Sequence, residues 1–155
     1  MKNTFLAALL LITASFYGQT DKKQPYSPPD EARFAFEKEF PKTNAVWRSE
    51  FDGDDGNEEL YVADFTVQGT RVSAYYNLRG ELQVLEHAVK PNKLPQTIQS
   101  YLKKNYPTYK IVEAARIRKT PNYYTYEVGL TSDSKFYDAV FSDAGDFLQM
   151  VEKDR

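Results

Sequence analysis

Residues 74–80, Ala-Tyr-Tyr-Asn-Leu-Arg-Gly, and residues 139–145, Ala-Val-Phe-Ser-Asp-Ala-Gly, share one pattern at an offset of 65. Each stretch begins with apolar residues and reaches a glycine three positions after an Asn or a Ser. An apolar run that ends in such residues is typical of a β-strand followed by a tight turn. Because recurrence at a fixed spacing indicates a repeated structural unit, the two stretches predict a chain built from two copies of one unit.

The repetition extends to both sides of these stretches, with an offset of 66 at the start of each copy and 65 further on. Apolar residues pair with apolar residues, proline with proline and glycine with glycine. The pairs include Pro29 with Pro95, Phe36 with Leu102, Phe40-Pro41 with Tyr106-Pro107, Tyr61 with Tyr126, Phe65 with Leu130, and Tyr76 with Phe141. Ordered matches along most of the chain favour a duplication over chance.

Each copy is predicted to open with a helix and to continue with four strands. Ala32, Phe36 and Phe40 recur at a spacing of four and form one apolar stripe, and Pro41 ends that helix. The period then changes to two, which is the signature of strands, and the short turns between them predict antiparallel pairing. The predicted fold class is α+β, with two tandem helix-plus-four-strand units that form one antiparallel sheet and carry both helices on one face.

The N-terminus is typical of a secretory signal peptide. Lys2 precedes an apolar run over residues 5–12, which is too short for a membrane-spanning helix of about 20 residues. Cleavage after Gly18 and cleavage after Ala14 both remain open, and the chain has no cysteine to carry a lipid. We therefore expect a periplasmic or secreted protein that is not membrane-bound after cleavage. The predicted organisation is a signal peptide over residues 1–18, a flexible N-terminal segment over 19–26, and repeats over 27–88 and 89–155.

Composition argues against several functional classes. The formal net charge of −2 over 155 residues is of the wrong sign for a nucleic-acid-binding protein. His87 is the only histidine, and without cysteine the usual zinc sites cannot be built. No Gly-x-Ser-x-Gly turn is present to serve a Ser-His-Asp arrangement. We therefore expect no catalytic residue, no cofactor, no metal and no enzymatic activity.

An acidic loop over residues 52–59, Asp-Gly-Asp-Asp-Gly-Asn-Glu-Glu, resembles a calcium-binding loop. The glycine falls at the fifth position after counting from Asp52, whereas a calcium loop of the EF-hand type has it at the sixth. Asp, Gly and Asn also favour ordinary turns. The turn is the preferred interpretation, and weak calcium binding stays open.

Strand alternation predicts a candidate partner-binding face. Tyr75 is out of phase with the core residue Tyr76, so it should point away from the helices, and its truncation should cost little stability. An apolar patch on an open sheet face often marks an interaction site, although ordinary sheets also expose some apolar surface. The residues assigned to this face are Leu60, Val62, Tyr75, Leu85, Thr125 and Val140.

The doubled pattern resembles the PepSY-like, β-lactamase-inhibitor-protein-like secreted proteins of Bacteroidetes-type bacteria. The resemblance spans Ser27 to Glu152 and rests on the ordered set of paired residues, among them Phe40-Pro41, Val46-Trp47 and Gly145. It implies a curved antiparallel sheet and no established activity, catalytic residue or cofactor. Together, these observations favour an exported, non-enzymatic binding module that uses the open face of the sheet; its ligand stays open, with an exported protein or peptide as one candidate. The alternative is an inhibitor or propeptide-like regulator of an exported hydrolase, and the oligomeric state stays open.

Overall fold

The computed structural model describes residues 26–52, 58–119 and 122–153. A helix and four strands are followed by a short 3-10 helix at Pro91–Lys93 and then by a second helix and four strands. The elements are α1 (Asp30–Glu39), β1 (Val46–Asp52), β2 (Glu58–Val67), β3 (Thr70–Tyr76), β4 (Leu82–Ala88), α2 (Gln96–Asn105), β5 (Lys110–Lys119), β6 (Tyr123–Ser132), β7 (Lys135–Ser142) and β8 (Phe147–Lys153).

All eight strands form one sheet in chain order, each antiparallel to the next. Two of the turns need only two residues, Gln68-Gly69 and Asp133-Ser134, and all four of these residues have positive φ. Two successive positive φ values match the turn type whose twist fits an antiparallel hairpin. The predicted α+β class with an antiparallel sheet is therefore confirmed.

Each helix packs on the sheet through two fully buried residues four positions apart. These are Ala32 and Phe36 in α1, and Ile98 and Leu102 in α2. The spacing places each pair on one side of its helix, as the apolar stripe predicts. We call their strand partners the helix-packed residues: Tyr61, Ala63, Phe65, Val72, Ala74, Tyr76 and Leu85 for α1, and Ala114, Val128, Leu130, Ala139 and Phe141 for α2.

A β-bulge in the pairing of β3 with β4 corrects one sequence-based assignment. Tyr76 pairs with Leu82 while Tyr75 pairs with Val84, so one extra residue interrupts the alternation of β4. As a result Leu85 lies opposite Ala74 and packs among the helix-packed residues. The prediction that Leu85 shares a face with Tyr75 is therefore wrong, because strict alternation does not allow for a bulge.

Two glycines lie where a turn touches the first turn of a helix. Gly80 and Gly145 both have positive φ, at 74° and 93°. A Cβ at Gly80 would lie 2.8 Å from the carbonyl carbon of Glu31, and one at Gly145 would lie 3.0 Å from Cβ of Thr97. Only glycine satisfies both the backbone conformation and this close approach.

We expect Gly80→Ala to destabilise the protein more than Gly69→Ala does. Both positions have positive φ, which costs a residue with a side chain about 1–2 kcal/mol. At Gly69 the added methyl group meets open space, whereas at Gly80 it meets the backbone of α1. Urea unfolding of both variants tests this. An equal loss of unfolding free energy in the two variants would mean that the contact with α1 adds no destabilisation.

Candidate binding face

The strand register defines a set of side chains that excludes the helix-packed residues. Four rows of cross-strand neighbours make up this set, which we call the acid-bearing face. The rows are Arg48, Val62, Tyr75, Val84, Lys119 and Tyr123; Asp64, Ser73, Glu86, Ile117, Thr125 and Ser142; Ala88, Ala115, Glu127, Val140 and Gln149; and Glu113, Gly129, Asp138 and Val151.

The structure brings five of the six predicted site residues to this side of the sheet. Val62, Tyr75, Thr125 and Val140 lie in the rows, and Leu60 is on the same side because it alternates with Tyr61. All five are buried, and Tyr75 is only 3% exposed. The expectation that Tyr75 points into solvent is therefore wrong, because the side of the sheet opposite Tyr76 is shielded as well.

Apolar side chains form two clusters on the acid-bearing face. Leu60, Val62 and Tyr75 make one cluster, and Ala115 and Ile117 make the other. Val84 packs against both, so the clusters are continuous across β2 to β5. Within the described ranges neither cluster includes a helix residue, so these buried side chains pack apart from the two helix-packed cores.

Hydrogen bonds link the charged side chains at the β1 to β4 end of this face. Nε of Arg48 donates to Asp64 at 2.7 Å, and the Ser73 hydroxyl donates to the same carboxylate at 2.6 Å. The Tyr75 hydroxyl donates to Oε2 of Glu86 at 3.2 Å. These contacts hold polar groups in place beside the apolar clusters of this face.

Tyr75→Phe is expected to lower the free energy of unfolding by about 1–2 kcal/mol, because it leaves the half-buried carboxyl of Glu86 without this donor. The hydroxyl also lowers the pKa of Glu86, so its loss should raise that pKa further. Urea unfolding and a 13C carboxyl titration test the two effects. Tyr124→Phe is a matched control, since Tyr124 pairs with Arg118 and, next to Thr125 in β6, lies on the opposite side of the sheet from Glu86. An unchanged Glu86 titration in Tyr75→Phe would contradict the role of the hydroxyl.

Two further acids are buried on β6 and β7. Glu127 and Asp138 are each 1% exposed, and Nζ of Lys153 lies 3.8 Å from Oδ2 of Asp138. Burial raises the pKa of Glu127 to about 7, and the nearby Asp138 carboxylate adds to this rise while Lys119 opposes it. Charged carboxylates are poorly stabilised away from water, which is why burial dominates.

Burial also raises the pKa of Glu86 to about 7. The Tyr75 hydroxyl and the positive charges of Arg71 and Arg48 oppose the rise, while Asp64 adds to it. Glu86 and Glu127 act on one another through space, because Glu86 also contributes to the raised pKa of Glu127. The acid-bearing face therefore holds two carboxyl groups whose proton exchange falls near neutral pH.

Sequence reasoning missed Glu86, Glu127 and Asp138 as site residues. In an alternating strand, acids out of phase with the core are normally solvated, and their burial cannot be recognised from local pattern. A weak signal did exist, because Leu60–Ala63 and Ala139–Phe141 are continuous apolar runs, which are typical of strands buried on both sides.

The other sequence candidates do not join this face. His87 is exposed overall and lies opposite Arg116, while partial burial of its ring and the positive charges of Arg118 and Arg116 lower its pKa. Most of the acidic loop, residues 53–57, lies outside the described residues. In the described part of the chain no group of three or more His, Asp or Glu side chains is arranged to hold a metal ion. Neither described helix is long and apolar enough to cross a membrane.

Several solved structures share this fold. A protein from Bacteroides eggerthii DSM 20697 with a proposed periplasmic location aligns with a TM-score of 0.71 at 14% identity, over 82% of this chain and 90% of that one. A DUF2874 family protein from Bacteroides ovatus ATCC 8483 aligns with a TM-score of 0.68 at 18% identity, over 82% and 89%. A BLIP-like protein from Bacteroides fragilis NCTC 9343 aligns with a TM-score of 0.63 at 20% identity, over 82% and 88%.

The chain has the fold of the DUF2874 and BLIP-like proteins of Bacteroides. This confirms, at the level of fold, the resemblance to β-lactamase-inhibitor-protein-like secreted proteins that the doubled pattern predicts. No protein family matches the sequence, and no curated protein sequence matches it significantly.

Proposed function

We propose that this protein is an exported, non-enzymatic module that binds a protein or peptide through its acid-bearing face. The observation that carries the proposal is the face itself, where two apolar clusters and two buried acids lie on the same side of the sheet and no described helix residue contributes to either cluster. Apolar contact area with a few fixed polar groups is what specific protein interfaces require. The proposed periplasmic location of the Bacteroides eggerthii relative supports export.

The proposal includes a tandem organisation, with a leader over residues 1–18, a segment over 19–26 and units over 27–88 and 89–155. Equivalent irregularities support it. Both β3 and β7 pair with the next strand through a bulge, at Tyr75/Tyr76 and at Val140/Phe141. Both turns that follow place a glycine of positive φ against the helix of the same unit, Gly80 against α1 and Gly145 against α2. Such an arrangement carries both helices on one face and leaves the other for a partner.

Site-specific crosslinking tests the binding face directly. Val46 and Val151 lie on the acid-bearing side with exposed fractions of 74% and 37%, whereas Phe34 lies on α1 and is 58% exposed. A photoreactive amino acid at Val46 or Val151, in protein made by the native host, should trap the same exported protein. The Phe34 position is the matched control and should not trap it.

Titration with the purified crosslinked protein completes the test. Saturable binding supports the proposed module, and loss of that protein's own activity on binding would identify the inhibitor alternative, which the BLIP-like relative suggests. Trapping from Phe34 alone would move the interaction to the helices and refute the proposed face.

A further inference from the structure

The acid near the centre of the acid-bearing face lacks a hydrogen-bonding partner. Glu127 is 1% exposed, and neither of its carboxylate oxygens accepts a hydrogen bond from the described residues. Its cross-strand neighbours, Ala115 and Val140, have no donor to offer. Because a buried ionised carboxylate is costly unless it is paired, Glu127 is an acceptor for which this part of the chain supplies no donor.

Two other acids of the face have a partner close by. Glu86 accepts a hydrogen bond from Tyr75, and Asp138 faces the ammonium group of Lys153 at 3.8 Å. Lys119 and Lys153 influence Glu127 only through space, without a hydrogen bond to it. Glu127 therefore neither accepts a hydrogen bond nor forms an ion pair among the described residues, and the nearby acids Asp138 and Glu86 add negative potential to it.

We propose that Glu127 receives an arginine side chain of the protein that binds this face, an inference that rests on the proposed function. Both of its oxygens are available, and a guanidinium group presents two parallel N–H donors that match a carboxylate. The aliphatic part of the arginine would lie against Ala115 and Val140, as long charged side chains do on apolar surface. Charge complementarity thus selects a basic partner segment.

The residues around Glu127 limit which side chains can reach its carboxylate, the position that we call the arginine seat. On one side the space above Gly129 is filled, since a Cβ there would lie 2.7 Å from Cγ of Glu113 and 2.8 Å from Cζ of Phe136. Glu127 itself is almost fully shielded, so the side chains around it must shift before an arginine enters. We therefore expect association slower than about 10⁵ M⁻¹s⁻¹, which is the lower end for rigid protein pairs.

Peptide titration of the full chain tests the arginine seat. The probes are acetylated, amidated apolar pentapeptides that carry arginine, lysine or the neutral isostere citrulline at the centre. The arginine peptide should bind at least about tenfold more tightly than the citrulline peptide, and it should shift the 13C carboxyl resonance of Glu127. Glu127→Gln should remove this preference, whereas Glu152→Gln, at an exposed position of β8 opposite Tyr137, should keep it.

Each other outcome overturns the inference in a distinguishable way. If the arginine and citrulline peptides bind the acid-bearing face with equal affinity, the arginine seat is refuted and the proposed function is not. If the lysine peptide binds as tightly as the arginine peptide, the proposed preference for a guanidinium group is refuted. An arginine preference seen only after Lys22→Gln and Lys23→Gln would identify the chain's own N-terminal segment as the occupant. If none of the peptides shifts a resonance of the acid-bearing face, the arginine seat is refuted. Crosslinking from Val46 and Val151 then tests the proposed function separately.

Discussion

Tyr76→Ala is expected to lower the free energy of unfolding by about 3–5 kcal/mol, because it removes a fully buried aromatic ring and leaves a cavity. The ring lies 6.1 Å from that of Trp47, among the residues that α1 covers. Since natural domains are stable by only about 5–15 kcal/mol, this loss should move the urea midpoint far to lower concentrations.

Tyr75→Ala should cost a similar amount, because Tyr75 is 3% exposed on the other side of the sheet. Tyr76→Phe is the matched control. The Tyr76 hydroxyl is buried and has no hydrogen-bond partner among the described residues, so its removal should change stability by less than about 1 kcal/mol or raise it. A Tyr75→Ala variant as stable as the parent would show that the acid-bearing face is open to solvent, as alternation alone predicts.

Glu127→Gln should stabilise the protein at neutral and alkaline pH. Burial raises the pKa of Glu127 from the usual 4.5 to about 7, so the folded state favours the protonated carboxyl. The stability that this provides is fully present below about pH 4.5 and is lost as the pH rises through about 7. Glutamine keeps the shape of the protonated acid and cannot ionise, so the variant should lose only the stability that Glu86 contributes over the same pH range.

The size of the effect follows from the shift in pKa. A rise from 4.5 to about 7 corresponds to about 3 kcal/mol at most, reached above about pH 8. Urea unfolding at a series of pH values should therefore give a parent whose stability falls between about pH 5 and 8, and a variant whose curve is flatter. Glu37→Gln, at an exposed position on α1, should leave the parent's slope in place. A parent with no such fall would show that Glu127 is solvated.

Local pattern was sufficient for the secondary structure and for the pairing of strands. The stripe of Ala32 and Phe36, the proline after each helix and the short turns identify both helices and an antiparallel sheet, because these features depend on neighbours in sequence. The bulge beside Tyr76 was not predictable in this way. One extra residue in β4 moved Leu85 to the helix-packed side, and no local signal distinguishes that residue from a regular strand position.

The sequence by itself determined the fold class, the doubled pattern and the acidic balance of the chain, since each follows from residue type and spacing. Only the tertiary structure decided that Tyr75 is buried and that Glu86, Glu127 and Asp138 share one face. Glu86 and Glu127 lie on strands separated by β5, and their proximity exists only once eight strands assemble in order. Burial and a raised pKa depend on everything packed around a group, which the period of its own strand does not record.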